Sequence, residues 1–159
     1  MSLSIRRVIT GHDAQGNSIV AIDEIAKNIV SRRPGHESAV IWTTTEAPYD
    51  NTEQGDQGLR DVNLCAAEGA IFRIVSYAPG VSPRMHRTLT IDYAVVMSGE
   101  IFMVLDGGKE AHLKAGDVLV QRGTVHDWIN RGSVPCVIAF ILMAAKPVDA
   151  GGKTLGALG

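Results

Sequence analysis

Gly80-Val-Ser-Pro-Arg84-Met-His86-Arg87-Thr88-Leu-Thr-Ile-Asp92-Tyr-Ala-Val-Val-Met-Ser-Gly99 and Gly116-Asp-Val-Leu-Val-Gln-Arg122-Gly123-Thr-Val-His126-Asp-Trp128-Ile-Asn130 decide how this chain is read. Each stretch runs between glycines, carries a histidine, and is rich in β-branched residues. No two histidines fall within one helical turn, so this is not a helix-borne metal motif. The histidines and the carboxylate of Asp92 meet only if separate strands bring them into the interior of a closed β-structure.

The surrounding sequence supports that reading. Apolar, β-branched runs at Ile71–Tyr77, Ile91–Met97, Ile101–Leu105, Val118–Gln121 and Cys136–Met143 are separated by turns at Gly99, Gly107-Gly108, Gly116, Gly123 and Gly132. Short strands at such regular intervals predict an antiparallel sandwich or barrel. Upstream, Asp13-Ala-Gln-Gly16 separates Ile5–Thr10 from Ser18–Ile22 and predicts an N-terminal hairpin. Ile19–Val30 admits either a helix or a strand followed by a loop. Arg33-Pro34-Gly35 reads as a loop, and so does the polar run Tyr49–Arg60, whose composition suits a lid over a barrel mouth. The chain is therefore expected to divide into an extension (1–64) packed on a barrel (65–148), followed by a flexible Gly-rich tail (149–159).

At 159 residues one domain is expected, and a net charge of -2 gives no reason to expect nucleic acid or an acidic membrane as partner. The longest apolar run, Val134–Ala145, is about half a membrane span. Two arginines near the N-terminus are followed by no apolar signal-peptide core, so a cytoplasmic protein is expected. Cys65 and Cys136 read as free thiols of a reducing compartment, with a disulfide as the alternative. No phosphate-binding loop and no nucleophile elbow is present.

The two stretches resemble the motifs of the cupin family, G(x)5HxH(x)3,4E(x)6G and G(x)5PxG(x)2H(x)3N. Gly80, His86 and Gly99 match the first at the expected intervals, with Asp92 at the glutamate position and Thr88 where a second histidine stands. Gly116, Gly123, His126 and Asn130 match the second, with Arg122 near the proline position and one residue fewer between the glycines. The resemblance spans about residues 65–145. It implies an all-β fold, an antiparallel double-stranded β-helix or jelly-roll barrel with an N-terminal strand extension that in similar cupins often builds a homodimer. It also implies a divalent transition metal (Fe, Mn, Ni, Cu or Zn), here held by His86, Asp92 and His126, or no metal at all.

Strand alternation gives the remaining expectations. His86, Thr88 and Asp92 share one face, and His126, Trp128 and Asn130 share another. Thr88 would bond bound water, Trp128 would wall the pocket, and Arg84 at the mouth would bind a substrate carboxylate. Arg87 and Tyr93 point outward. Phe72, Ile74 and Ser76, with Val137, Ala139, Ile141 and Met143, would line the cavity, while His12, His36 and the exposed His112 take no part. The last strand is apolar on both faces, so the hairpin or a second subunit should cover its outside. Three functions remain open: a metal-dependent enzyme acting on a small organic substrate, a metal-free metabolite-binding module, and a metal-free isomerase or dehydratase using a His–Asp acid–base pair.

Overall fold

A computed structural model describes residues 2–63, 65 and 67–159. The chain is built from strands β1 (Arg6–His12), β2 (Ser18–Ile25), β3 (Ile29–Arg33), β4 (His36–Thr44), β5 (Ala70–Tyr77), β6 (Thr90–Ser98), β7 (Glu100–Leu105), β8 (Glu110–Lys114), β9 (Val118–Arg122), β10 (His126–Ile129), β11 (Cys136–Ala144), β12 (Val148–Ala150) and β13 (Lys153–Leu155). A single 3₁₀ turn, Gln57–Leu59, is the one helical element among the described residues. The stretch Ile19–Val30 holds no helix: it is β2 through Ile25, a short connection, and the start of β3 at Ile29.

A six-stranded antiparallel sheet, ordered β3-β4-β5-β11-β6-β9, faces a three-stranded one, ordered β10-β7-β8. Ile71, Val75, Ile138 and Phe140 of the large sheet meet Ile101, Met103, Leu113 and Trp128 of the small one to form the main core. This is the expected jelly-roll barrel. At Gly99 the hairpin from β6 to β7 turns at φ +74°, and a Cβ there would lie 2.6 Å from the Pro135 carbonyl oxygen. Only glycine fits both demands.

The N-terminal hairpin forms as expected, β1 on β2, with a register shift at Ile9/Thr10. Leu3, Ala26, Ala39, Ile41 and Ile74 form a second cluster on the outside of the large sheet, with Ile5, Ile29, Val137 and Ala139 packed against it. The N-terminal segment thus covers part of the outer face of β11. This placement reverses one expectation. Ile74, Val137 and Ala139 face outward, while Arg73, Val75, Tyr77, Phe140 and Leu142 face the cavity. The reason is that β11 is apolar on both sides and carries no parity signal, and on β5 the charged Arg73 is the buried residue.

The polar loop 49–60 is tied down by charge. Buried Arg7 pairs with Glu24 and Asp56, and Arg60 pairs with Glu53. Gly58 lets the chain pass Arg7, since a Cβ there would collide with the guanidinium and lie 2.6 Å from the Ile41 carbonyl oxygen. Residues 49–55 line a groove with β1, β2 and Trp42, and none of them borders the histidine cavity. Residues 149–159, read as a flexible tail, contribute to the β12–β13 hairpin, and Leu158 pairs with Arg87.

Candidate functional site

His86 and His126 are directly opposite each other in a hydrogen-bonded antiparallel pair, His86 N donating to His126 O at 3.0 Å and His126 N to His86 O at 2.9 Å. Such pairing places two side chains of one face in contact. The imidazole centroids are 4.4 Å apart. Each Nδ1 sits against a backbone carbonyl, His86 on Arg84 O at 2.8 Å and His126 on Thr124 O at 3.0 Å. A carbonyl only accepts, so both Nδ1 atoms carry the hydrogen, and in the neutral ring each Nε2 is left as a bare acceptor. Burial keeps both rings neutral, with His126 pushed down to about 4 and His86 lowered.

Both histidines line a cavity of about 50 Å³ between the sheets. Its apolar wall is Val75, Tyr77, Trp128, Phe140 and Leu142, and its polar members are His36, Arg73, Thr88 and Asp92 beside the histidine pair. A volume of that size holds a group of only a few heavy atoms. Asp92 is 4% exposed. Its Oδ1 has no hydrogen-bond partner among the described residues. Burial pushes its carboxyl up to about 6, against the lowering influence of the Thr90 hydroxyl and the Arg73 charge. Gln121, which pairs in register with Asp92, also has no partner for its Oε1 among the described residues. Buried polar atoms without partners are rare and point to a ligand or water that supplies one.

Of the residues singled out from sequence, His86, Thr88, Asp92, His126 and Trp128 come together in this cavity. Thr88 shares a hydrogen bond with the Thr90 hydroxyl at 2.7 Å. Arg84 and Asn130 are elsewhere. The Arg84 backbone N–H donates to Asp127, and its guanidinium lies 3.5 Å from the Gly159 carbonyl oxygen. Asn130 is buried as a turn clasp, donating to Tyr77 O and Val134 O. The three residues expected to hold a metal, His86, Asp92 and His126, border one cavity, and among the described residues no three His, Cys, Asp or Glu side chains are grouped closely enough to hold an ion as they stand. The histidine pair offers two adjacent Nε2 donors, whereas protein metal sites ordinarily take three or four protein ligands.

Sequence reasoning missed Arg73 and His36. Arg73 stands out as the single charge of β5, but a lone charge does not say which face of the strand is buried. His36 carried no signal, because its place depends on the register that sets it opposite Tyr77.

Comparisons with known proteins agree with the fold. Residues 73–142 match the cupin domain family model. The chain is 39% identical over 160 residues to the phomopsin biosynthesis cluster protein C' of Diaporthe leptostromiformis, covering 94% of this chain and 84% of that protein. It is 34% identical over 166 residues to the cupin-domain-containing oxidoreductase fogC of Aspergillus ruber, covering 94% of this chain and 77% of that protein. The polyketide cyclase RemF of Streptomyces resistomycificus shares the fold, with a TM-score of 0.50 and 15% identity over 74% of this chain and 72% of that one.

Proposed function

The chain belongs to the cupin family, and from that premise we propose that it is a small-molecule enzyme working by proton transfer in the histidine cavity. The observation that carries the reading is the pairing of bare acceptors with an unpartnered buried carboxyl. The two Nε2 atoms can only accept, and the Asp92 carboxyl, raised by burial, can donate. Asp92 gives its proton to a substrate carbonyl oxygen while an imidazole Nε2 takes the proton from the adjacent carbon. Returning the two protons at a new position, or expelling a β-hydroxyl, completes an isomerisation or a dehydration. No oxidant is consumed. The apolar wall of Trp128, Phe140 and Leu142 excludes water from the enol. Relatives named for biosynthesis clusters support a small organic metabolite as substrate.

A second reading, metal-dependent catalysis, is favoured by the twin Nε2 donors and by relatives named as oxidoreductases. A divalent ion there would act as a Lewis acid, and it would need ligands beyond those this cavity brings together.

One experiment separates the two. Protein purified without an affinity tag is analysed for metals and then incubated in D₂O with a panel of small carbonyl compounds, with carbon–hydrogen exchange followed by NMR. Exchange by metal-free protein, lost in Asp92→Asn, is the expected outcome. Exchange that requires about one equivalent of metal per chain, or none under either condition, would reject the proton-transfer reading.

A further inference from the structure

One end of the cavity is short of acceptors. Arg73 is 5% exposed on β5; among the described residues its Nε has no partner, and its one hydrogen bond is Nη2 to the Asn63 carbonyl oxygen at 2.9 Å. No carboxylate lies within ion-pair distance of it among the described residues. Among the described residues, Arg33, at the end of β3, has Nε and Nη1 buried and without a partner, and His36 across the turn leaves its buried Nδ1 without one as well. The field here is positive: burial first, and then Arg33, Arg73 and Arg32, hold His36 down at about 4. An unpaired buried guanidinium is costly, and the cost is removed when an anion enters.

We propose that Arg73, supported by Arg33 and His36, is the binding site for a substrate carboxylate. This deepens the proton-transfer reading and rests on it. A guanidinium matches the planar fork of a carboxylate, and a cavity of about 50 Å³ admits little more than that group and the carbon it is attached to. Arg73, Asp92 and the histidine pair all border this one cavity, so a carboxylate held by Arg73 is bound beside the groups of the proton-transfer reading. The substrate class is therefore that of the smallest 2-oxo or 3-oxo acids, whose few heavy atoms suit so small a cavity. Arg84, the arginine expected from sequence in this role, is replaced in it by Arg73.

Trp128 borders the cavity, so its fluorescence reports binding once the other tryptophan is removed in Trp42→Phe. In that background, propionate and 2-oxobutyrate are titrated at constant ionic strength against propionamide and chloride. The expected result is saturable quenching by the carboxylates only, weakened at least tenfold in Arg73→Met and partly restored in Arg73→Lys. Arg33→Gln provides a second test where Arg73→Met does not fold, and should weaken binding at least threefold. Equal binding of propionamide, or carboxylate binding unchanged in Arg73→Met, overturns the proposal. The two readings fail separately. Exchange in D₂O that is as fast on butanone as on 2-oxobutyrate removes the carboxylate site and leaves proton transfer intact, whereas carboxylate binding without exchange does the reverse.

Discussion

Strand β6 inverts the usual relation between polarity and burial on its two faces. Inward lie Thr90 and Asp92, both nearly inaccessible, before the strand turns apolar at Ala94 and Val96. Outward lie Ile91, Tyr93, Val95 and Met97, all exposed. A strand of a simple monomeric sandwich puts its apolar residues inward and its polar residues in water. Each departure has a distinct meaning. Buried polar groups without partners lower stability and persist where they contact a ligand, while exposed apolar groups in a contiguous patch persist where another surface covers them. The inner face thus has the character of a ligand site, and the outer face that of an uncovered apolar surface.

The largest effect separating the faces should be catalytic. Asp92→Asn and His126→Asn should each slow carbon–hydrogen exchange by about 10²–10⁴-fold, the usual contribution of a general acid or base. Tyr93→Ala, on the same strand as Asp92 but facing out, should leave the rate within about twofold under conditions where the oligomeric state is unchanged. Comparable losses on both faces would remove the distinction. The pH profile sharpens it further. Exchange should decline as pH rises through about 6, where Asp92 loses its proton, and again as pH falls toward 4, where His126 gains one.

Packing should follow the same division with smaller numbers. Trp128 is 3% exposed and packs on Phe140 with ring centroids 5.3 Å apart. Trp128→Ala should cost about 3–5 kcal/mol in chemical denaturation. Val118→Thr, at the most exposed outer position, should change it by less than about 0.5 kcal/mol. A large loss at Val118 in a monomeric state would mean that the outer face is packed within one chain.

The inner face should also show that function there opposes stability. Raising the Asp92 carboxyl from its ordinary value to about 6 means that its ionised form is disfavoured in the folded chain at neutral pH. Asp92→Asn removes that penalty and should stabilise the protein by about 2 kcal/mol at pH 7 while abolishing exchange. Destabilisation by this substitution would indicate that the carboxylate is held by a partner in the folded state.

How far these features could be read from sequence follows from the same inversion. The barrel was legible because glycine turns and β-branched runs repeat, and His86, Thr88, Asp92 and His126 were legible because their spacing is fixed by two strand motifs. Arg73 was not. β5 carries apolar residues at both parities, so alternation left its cavity face open, and Phe72, Ile74 and Ser76 were assigned to it in place of Arg73, Val75 and Tyr77. Arg84 was placed at the barrel mouth because it precedes the strand, but position in a loop does not determine where a long side chain ends, and its guanidinium lies near Gly159. The outward apolar residues of β6 were legible by parity, but what covers them depends on a surface that no periodicity encodes.

The smallest predicted effect uses the two kinds of buried titratable group against each other. His126 and His36 are pushed down to about 4 by burial, so in the pH range between there and 6.5 the folded chain binds fewer protons at these sites than the unfolded one. Their contribution to stability is complete above 6.5 and is lost as pH falls through 4. Asp92 has the opposite sign: with its folded value near 6, its contribution is complete below about 4 and is lost as pH rises through 6. Between pH 4 and 6 the terms partly cancel, and the histidines, being more numerous, set the net slope. The melting temperature should therefore fall on acidification from 6.5 to 4 in the wild type, more steeply in Asp92→Asn, and less steeply in His126→Asn. Parallel curves for the three proteins would show that neither Asp92 nor His126 changes its proton affinity on folding, and the inner face of β6 would then be polar without being electrostatically strained.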